Sequence, residues 1–204
     1  MFRDRQDAAD KLAHALELYR GKHPLVLAIP RGAVPMGKII AKALDGELDV
    51  VLVRKLRAPG NPEFAIGSVD ETGWTYLSSY ARELSEKYLA DEKAAQLSVM
   101  RERRASYTPI RAPIDPAGRI VIVVDDGLAT GSTMIAALHA LRAKNPLKLV
   151  CAVPVAPADT LEKITPYADE VVCLDTPDPF YAVGQFYQAF DQVEDEEVVE
   201  LLRQ

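Results

Sequence analysis

Five short and almost wholly apolar runs constrain the fold of this chain more than any other feature of its sequence. Strands that are apolar on both faces are typical of parallel sheets covered by helices on both sides. Most of the runs are separated by segments with the apolar spacing of helices, such as residues 36–44 and 132–144. The sequence therefore predicts an α/β fold with a doubly wound, mostly parallel sheet. Its predicted strands are residues 25–29, 48–53, 119–124, 148–155 and 170–174.

The regular alternation is interrupted after the second predicted strand. Residues 54–63 contain two prolines and a glycine, which predict a long irregular loop that does not pair in a sheet. The segments FAIGSV and WTYLS flank DETG and predict a small hairpin at about residues 64–77. We expect a single domain over residues 1–204, to which this hairpin and a C-terminal hood at about residues 175–204 are appended. Further helices are predicted at residues 4–19, 79–107, 158–165 and 194–202.

The overall charge and composition exclude several classes of function. A net charge of −6 argues against general binding to nucleic acids or to membrane surfaces. No apolar run approaches the roughly 18 residues of a membrane span, and the N terminus MFRDRQDAAD does not resemble a signal peptide. Cys151 and Cys173 each lie within an apolar run. We therefore expect buried, reduced thiols in a cytoplasmic protein, since a zinc site would need more ligands at closer spacing.

The stretch VIVVDDGLATGST, residues 121–133, carries the strongest functional signal. Asp125 and Asp126 follow a predicted strand, and ligands of such sheets bind at the carboxyl ends of strands. The next loop leads into a helix whose N-terminal N–H groups favour an anion. A ribose 5-phosphate fits both features, because the loop can bind its phosphate while the two carboxylates accept hydrogen bonds from its hydroxyls. The loop adds flexible glycines and hydroxyl donors at Gly127, Thr130, Gly131, Ser132 and Thr133.

Other interpretations of this stretch explain less of it. The chain has neither the G-x-x-x-x-G-K-[ST] sequence of a P-loop nor the G-x-G-x-x-G sequence of dinucleotide-binding folds. Receiver domains place their acidic pair after the first strand and have no cradle of glycines and hydroxyls behind it. A helix cap with a tight turn would account for one aspartate and one glycine, but not for the whole string.

This stretch resembles the ribose-phosphate signature of the type I phosphoribosyltransferases, and the whole chain is similar to a bacterial group of phosphoribosyltransferase-like proteins. The resemblance implies binding of 5-phosphoribosyl 1-pyrophosphate (PRPP) with Mg²⁺ and transfer of its phosphoribosyl group to a nitrogenous base, with release of pyrophosphate. Mg²⁺ would arrive with PRPP near Asp125 and Asp126 instead of occupying a permanent protein site. The implied partners are PRPP and a small base, and neither nucleic acid nor a membrane is implied. Whether the chain forms a homodimer stays open.

The same resemblance assigns roles to further segments. The loop PRGAVP, residues 30–35, would bind the pyrophosphate, unless its arginine is only a surface residue. Residues 54–63 would form a mobile loop that closes over PRPP; the alternative is a static loop in solvent.

The implied catalytic residues are Asp125, Asp126, Lys55 and Arg31. The implied PRPP-binding residues are Pro30, Arg31, Gly32, Arg54, Lys55, Asp125, Asp126, Gly127, Ala129, Thr130, Gly131, Ser132 and Thr133. The implied base-binding residues are Leu128, Phe180 and Tyr181, although the two aromatic rings could instead pack on the edge of the core.

One position of the motif bears on the identity of the base. Ala129 stands where the 6-oxopurine enzymes of this family have an aspartate, so the motif is closer to the adenine and uracil types. The base-covering segment of neither type is recognisable in this sequence. Two other functions stay open, namely a regulator that binds PRPP without turnover and an enzyme that transfers the phosphoribosyl group to water or pyrophosphate.

Overall fold

A computed structural model describes residues 1–203 of the protein. Its strands are β1 (Leu25–Ala28), β2 (Glu47–Val50), β3 (Val53–Ala58), β4 (Asn61–Asp70), β5 (Thr75–Leu77), β6 (Ile120–Val124), β7 (Lys148–Val155) and β8 (Glu170–Asp175). Its α-helices are α1 (Arg5–Ala15), α2 (Val34–Ala43), α3 (Glu86–Tyr107), α4 (Ser132–Arg142), α5 (Ala158–Ile164) and α6 (Asp195–Arg203). Short 3₁₀ helices cover Glu17–Tyr19, Ser79–Glu83, Thr165–Tyr167 and Val183–Phe186.

The main sheet has five parallel strands in the order β2-β1-β6-β7-β8, which confirms the predicted doubly wound α/β fold. Along β6, Ile122 and Val124 pack into a core shared with α1, α2 and α6, whereas Val121 and Val123 pack toward α4 and α5. All four side chains are fully buried. The uniform apolarity of the strand thus follows from a sheet that is covered on both faces.

The strand order reverses direction between β1 and β6. The chain leaves β1 through α2 to reach β2 on one side, and it leaves β6 through α4 to reach β7 on the other side. The two connections therefore diverge, and a crevice opens above the carboxyl ends of β1 and β6. Ligands of doubly wound sheets bind at this kind of switch point.

A second sheet of three antiparallel strands, β3-β4-β5, corrects the expectation that residues 54–63 are an unpaired loop. The prolines are accommodated by a local irregularity: Arg57 pairs with Ala65, but the next residue Ala58 pairs with Asn61. Pro62 therefore lies in an unpaired bulge, where its missing N–H costs no ladder hydrogen bond. The hairpin predicted at residues 64–77 is confirmed as the β4–β5 pair.

The β3–β4 hairpin is anchored on α3 through the buried carboxylate of Glu92. Both oxygens of Glu92 accept from the Arg57 guanidinium, at 2.8 and 3.2 Å, and the Arg57 backbone N–H donates to the same carboxylate at 3.0 Å. Tyr88 donates its hydroxyl to the Arg57 carbonyl at 2.6 Å. Arg57 therefore has its ionic partner outside the hairpin, 35 residues along the chain.

Replacing Glu92 by alanine should lower the free energy of unfolding by about 1–2 kcal/mol, because a hydrogen-bonded carboxylate is lost beside a partly exposed arginine. The variant should also be cleaved faster by trypsin after Arg57. Chemical denaturation and limited proteolysis measure both effects. Glu102→Ala, an exposed change on the same helix, is the control. Equal stability and equal cleavage of the two variants would show that Glu92 does not anchor the hairpin.

Three smaller expectations are also corrected. The helix expected at residues 79–107 is divided, because the Ser85 side chain accepts from the Tyr88 N–H and starts α3 there. The strand expected at residues 48–53 ends at Val50, and Val53 already belongs to the second sheet. Cys151 is buried as expected, whereas Cys173 is partly exposed on the outer strand β8. Both thiols are free.

In the part of the chain that the structure describes, no helix combines the length and apolarity that crossing a membrane requires.

Candidate active site

A cleft of about 700 Å³ lies at the carboxyl ends of β1 and β6. Its volume falls in the range typical of small-molecule sites. Every residue that the resemblance implies for PRPP binding lines this cleft: Pro30, Arg31, Gly32, Arg54, Lys55, Asp125, Asp126, Gly127, Ala129, Thr130, Gly131, Ser132 and Thr133. The structure thus brings these residues together, while their binding roles stay predictions.

The acid pair Asp125 and Asp126 stands in the cleft wall directly after β6. Asp125 accepts the backbone N–H of Asp126 at 2.9 Å. Asp126 accepts from Nε and Nη2 of Arg5 at 3.1 and 3.0 Å, both on the same oxygen, Oδ2. Burial and the adjacent Asp126 raise the pKa of Asp125 well above its usual value. Burial also raises the pKa of Asp126, while Arg5 acts in the opposite direction.

The loop after the acid pair accepts hydrogen bonds from two side chains that do not line the cleft. Thr160 donates its hydroxyl to the Ala129 carbonyl at 2.7 Å, and Ser68 donates to the Ser132 carbonyl at 2.6 Å. Gly131 precedes α4 with φ +77°, a conformation that favours glycine, and a Cβ there would lie 2.8 Å from Cγ2 of Thr160. Within residues 1–203 the N–H groups of Ala129, Thr130 and Gly131 have no hydrogen-bond partner. These donors and the N terminus of α4 form a cradle suited to a phosphate.

The loop after β1 packs closely against the acid pair. A Cβ at Gly32 would overlap Oδ2 of Asp126 and lie 3.0 Å from Nη2 of Arg5, so the backbone can pass there only because glycine has no side chain. The peptide bond between Pro30 and Arg31 is cis. Nη1 of Arg31 lies 3.2 Å from a Glu194 carboxylate oxygen. The same Nη1 lies 3.7 Å from a carboxylate oxygen of Asp195, so in this structure Arg31 is ion-paired with the start of α6 and the residue before it.

The basic residues of β3 differ in whether their side chains already have a hydrogen-bond or ionic partner. Arg54 donates from Nε to Gln96 at 2.9 Å, and burial, followed by nearby arginines, lowers its pKa. Arg57 is bound by Glu92, as described above. Lys55 is exposed at the cleft, and among the described residues its ammonium makes no hydrogen bond or ion pair. Lys55 is thus the side chain of this strand that is free to meet a ligand.

The structure separates the three residues implied for base binding. Leu128 is buried and lines the cleft. Phe180 packs against Phe186, with ring centroids 4.7 Å apart, and Tyr181 is 81% exposed; neither lines the cleft. A later part of the predicted hood takes their place in the wall, namely Val183, Phe190, Asp191, Gln192 and Val193.

Two site residues carry no local sequence signal and were missed. Arg5, near the N terminus, reaches Asp126 across 121 residues of chain. Tyr187 donates its hydroxyl to the Asp126 carbonyl at 2.6 Å. A lone arginine at the start of a charged helix, or a tyrosine in an irregular tail, looks like a surface residue in the sequence. Only the packing of the two chain ends against the cleft reveals them.

The cleft fits a magnesium ion that a ligand brings with it. Asp125 and Asp126 offer the hard carboxylate oxygens that Mg²⁺ prefers. Over residues 1–203 no group of three or more His, Cys, Asp or Glu side chains is arranged to hold a metal by itself. An ion bound here would therefore take its remaining ligands from the substrate and from water.

Comparisons with known proteins agree with this geometry. A profile of the phosphoribosyl transferase domain family matches residues 4–191. Two Mycobacterium tuberculosis proteins (strains CDC 1551 / Oshkosh and H37Rv), both named "Putative phosphoribosyl transferase", are 42% identical to this chain over 205 residues. The alignment covers 99% of this chain and 46% of theirs, so the chain spans about half the length of these curated relatives. The crystal structure of TT1426 from Thermus thermophilus matches with a TM-score of 0.82 and 45% identity, over 99% of this chain and 97% of that chain.

Proposed function

The chain belongs to the phosphoribosyl transferase domain family, and we propose that it binds PRPP with Mg²⁺ and transfers the 5-phosphoribosyl group to a nitrogenous base, releasing pyrophosphate. One observation carries the proposal: a single cleft combines an acid pair, a phosphate cradle and a loop with Arg31, whose guanidinium can bind a phosphate through two nitrogens. PRPP needs these three partners together, because it carries a phosphate, two ribose hydroxyls and a pyrophosphate.

Each part of PRPP has a matching group in the cleft. The free N–H groups of residues 129–131 and the N terminus of α4 suit the 5-phosphate. The carboxylates of Asp125 and Asp126 accept from the ribose hydroxyls. The pyrophosphate lies toward Arg31 and Lys55, where it replaces Glu194 and Asp195 as the partners of Arg31.

The protein contributes orientation and electrostatics rather than a covalent intermediate. The acid pair holds the ribose while the bond from C1 to the pyrophosphate oxygen breaks and positive charge grows at C1. Arg31 and Lys55 stabilise the negative charge that the leaving pyrophosphate gains. The base nitrogen then forms its bond to C1 from the opposite face. Mg²⁺, held by PRPP oxygens and near Asp125 and Asp126, would supply further neutralisation of the pyrophosphate charge.

The wall beside the acid pair is the proposed site of the base. Val183, Phe190 and Gln192 line it together with the buried Leu128. Apolar surface with a few polar groups is typical of a pocket for a planar heterocycle. Ala129 offers no carboxylate to handle a proton of the base, which favours bases other than the 6-oxopurines.

A pyrophosphate-release assay with PRPP, Mg²⁺ and a panel of bases tests the proposal. We expect release that depends on one class of base and that stops after exhaustive chelation of divalent metal. Release without any base would indicate hydrolysis, and PRPP binding without release would indicate a regulator. No binding of PRPP by the wild-type protein would overturn the proposal.

Thr130→Val should weaken PRPP binding by about 1–2 kcal/mol, because it removes one hydroxyl donor from the cradle and leaves the side-chain shape unchanged. The Thr130 hydroxyl lies 3.2 Å from that of Ser132. Isothermal titration calorimetry measures the effect, with the exposed Thr108→Val as control. Unchanged affinity in Thr130→Val would remove this hydroxyl from the phosphate site.

A further inference from the structure

Among the described residues, Arg5 is the cation in direct contact with the acid pair, although it lies outside the motif that contains the pair. Its Nε and Nη2 donate to the same oxygen of Asp126, at 3.1 and 3.0 Å. Both hydrogen bonds from Arg5 fall on Oδ2, while the Asp126 side chain also interacts with the neighbouring Asp125 carboxyl. Arg5 thus occupies Oδ2 and does not occupy the other oxygen of Asp126.

The Arg5 guanidinium is itself held in place by the C-terminal segment, residues 186–191. Its central carbon lies 4.0 Å from the centre of the Phe190 ring, and Nη1 donates to the carbonyl of Asp191. The backbones of the two chain ends are joined by hydrogen bonds from Phe2 to Phe186, from Gln188 to Phe2 and from Ala189 to Arg3. Only 14% of the Arg5 side chain is exposed. The guanidinium is therefore fixed before any ligand arrives.

The surroundings of Asp126 make such a partner necessary. Asp125, next to it, carries a second carboxylate that repels it, and the Tyr187 hydroxyl is bound to the Asp126 backbone instead of its side chain. Lys55, the other nearby cation, acts on Asp125 from a distance. The Gly32 backbone packs so near Oδ2 that a side chain at this position would overlap it. Without Arg5, the carboxylate of Asp126 would lose the contact that orients it.

We infer that Arg5 is a positioning residue, which fixes the Asp126 carboxylate for a ribose hydroxyl and links it to the cleft wall at Phe190 and Asp191. The inference rests on the proposed function, since it needs a ribose phosphate in the cleft. It assigns a role to the N-terminal helix, which otherwise only covers the sheet. Ordering of the carboxylate before binding reduces the entropy lost when the ligand binds.

Calorimetry with two probes separates this role from a general structural one. Ribose 5-phosphate uses both the cradle and the acid pair, whereas inorganic phosphate uses only the cradle. We expect Arg5→Ala to weaken ribose 5-phosphate binding about tenfold. Binding of inorganic phosphate should change less than about twofold, because Arg5 does not reach the cradle. Arg5→Lys keeps the charge and should recover part of the loss. Arg3→Ala, on an exposed arginine that is ion-paired with Asp7, is the control.

The outcomes distinguish this inference from the function on which it rests. If wild-type protein binds neither ribose 5-phosphate nor PRPP, the proposed function fails and the inference fails with it. If wild-type protein binds ribose 5-phosphate and Arg5→Ala binds it equally well, the inference alone is overturned. An equal loss for both probes would also overturn it, because the effect would then be a general disturbance of the cleft. Thermal unfolding checks folding of each variant, and Arg5→Lys decides the matter if Arg5→Ala does not fold.

Discussion

Replacing both carboxylates of the acid pair, Asp125→Asn with Asp126→Asn, should abolish measurable PRPP binding while the protein stays folded. Each carboxylate is expected to accept one hydrogen bond from a ribose hydroxyl. Bonds to charged groups contribute about 1.5–3 kcal/mol each, so the pair accounts for about 3–6 kcal/mol. A loss of that size lowers affinity by roughly two to four orders of magnitude.

The fold should survive this double change for an electrostatic reason. Burial raises the pKa of both carboxyls, and in Asp125 the charge of its neighbour adds to the effect. An ionised pair in this position therefore costs free energy on folding, and the two neutral amides remove that cost. The same change removes the ion pair between Arg5 and Asp126, which acts in the opposite direction. We expect an unfolding temperature close to that of the wild type.

Calorimetric titration with PRPP and Mg²⁺ measures the binding, and circular dichroism follows the unfolding. The exposed double variant Asp10→Asn with Asp91→Asn removes the same charge elsewhere and should bind as the wild type does. If the acid-pair variant keeps full affinity for PRPP, the ribose contacts proposed for Asp125 and Asp126 do not exist.

The features of the fold that could be predicted from sequence are those fixed by local burial. Strand β6 is apolar at every position because both faces of its sheet are covered, and that pattern is visible without any partner strand. The position of the acid pair at the strand end then follows from chain order alone. Because the carboxyl ends of parallel strands meet at one edge, the loop after β1 could be expected opposite Asp125.

The features that could not be predicted depend on contacts between distant parts of the chain. The prolines of residues 54–63 indicate a loop, but a bulge in the β3–β4 register accommodates Pro62 and the hairpin forms. The positive charge of Arg57 looks available for a ligand, yet Glu92 on α3 binds it. That residues 54–63 form a mobile loop thus stays a prediction. Within this segment, only the exposed turn around Gly60 has the composition expected of a mobile loop.

The same limit applies to the aromatic residues of the C-terminal hood. Phe180 and Tyr181 are the ring-binding residues predicted from the sequence and Phe190 is not among them, since the irregular segment that carries all three has no periodicity. The structure places Phe190 at the cleft because the segment is bound to the first residues of the chain. Only that contact between the two ends of the chain distinguishes it from the other two.

Gly32→Ala should weaken PRPP binding by about 3 kcal/mol, or roughly a hundredfold, because the added methyl group disturbs two parts of the site at once. It would overlap Oδ2 of Asp126 and lie 3.0 and 3.3 Å from the two Arg5 nitrogens that bind this oxygen. Withdrawal of the Asp126 side chain is restricted, since Arg5 holds the carboxylate and Tyr187 holds the backbone behind it. The methyl group must therefore break the contact between Arg5 and Asp126 or displace the loop that carries Arg31.

Comparison with a second glycine separates this effect from the general cost of alanine. Gly118 has open space around its Cβ position and a positive φ of +69°, so Gly118→Ala introduces backbone strain away from the cleft. We expect Gly118→Ala to lower stability by about 1 kcal/mol and to leave PRPP affinity unchanged. Gly32→Ala should differ from it by losing PRPP affinity in addition to the loss of stability that overpacking causes. If Gly32→Ala bound PRPP as tightly as the wild type, the close packing of this loop against Asp126 would have no part in substrate binding.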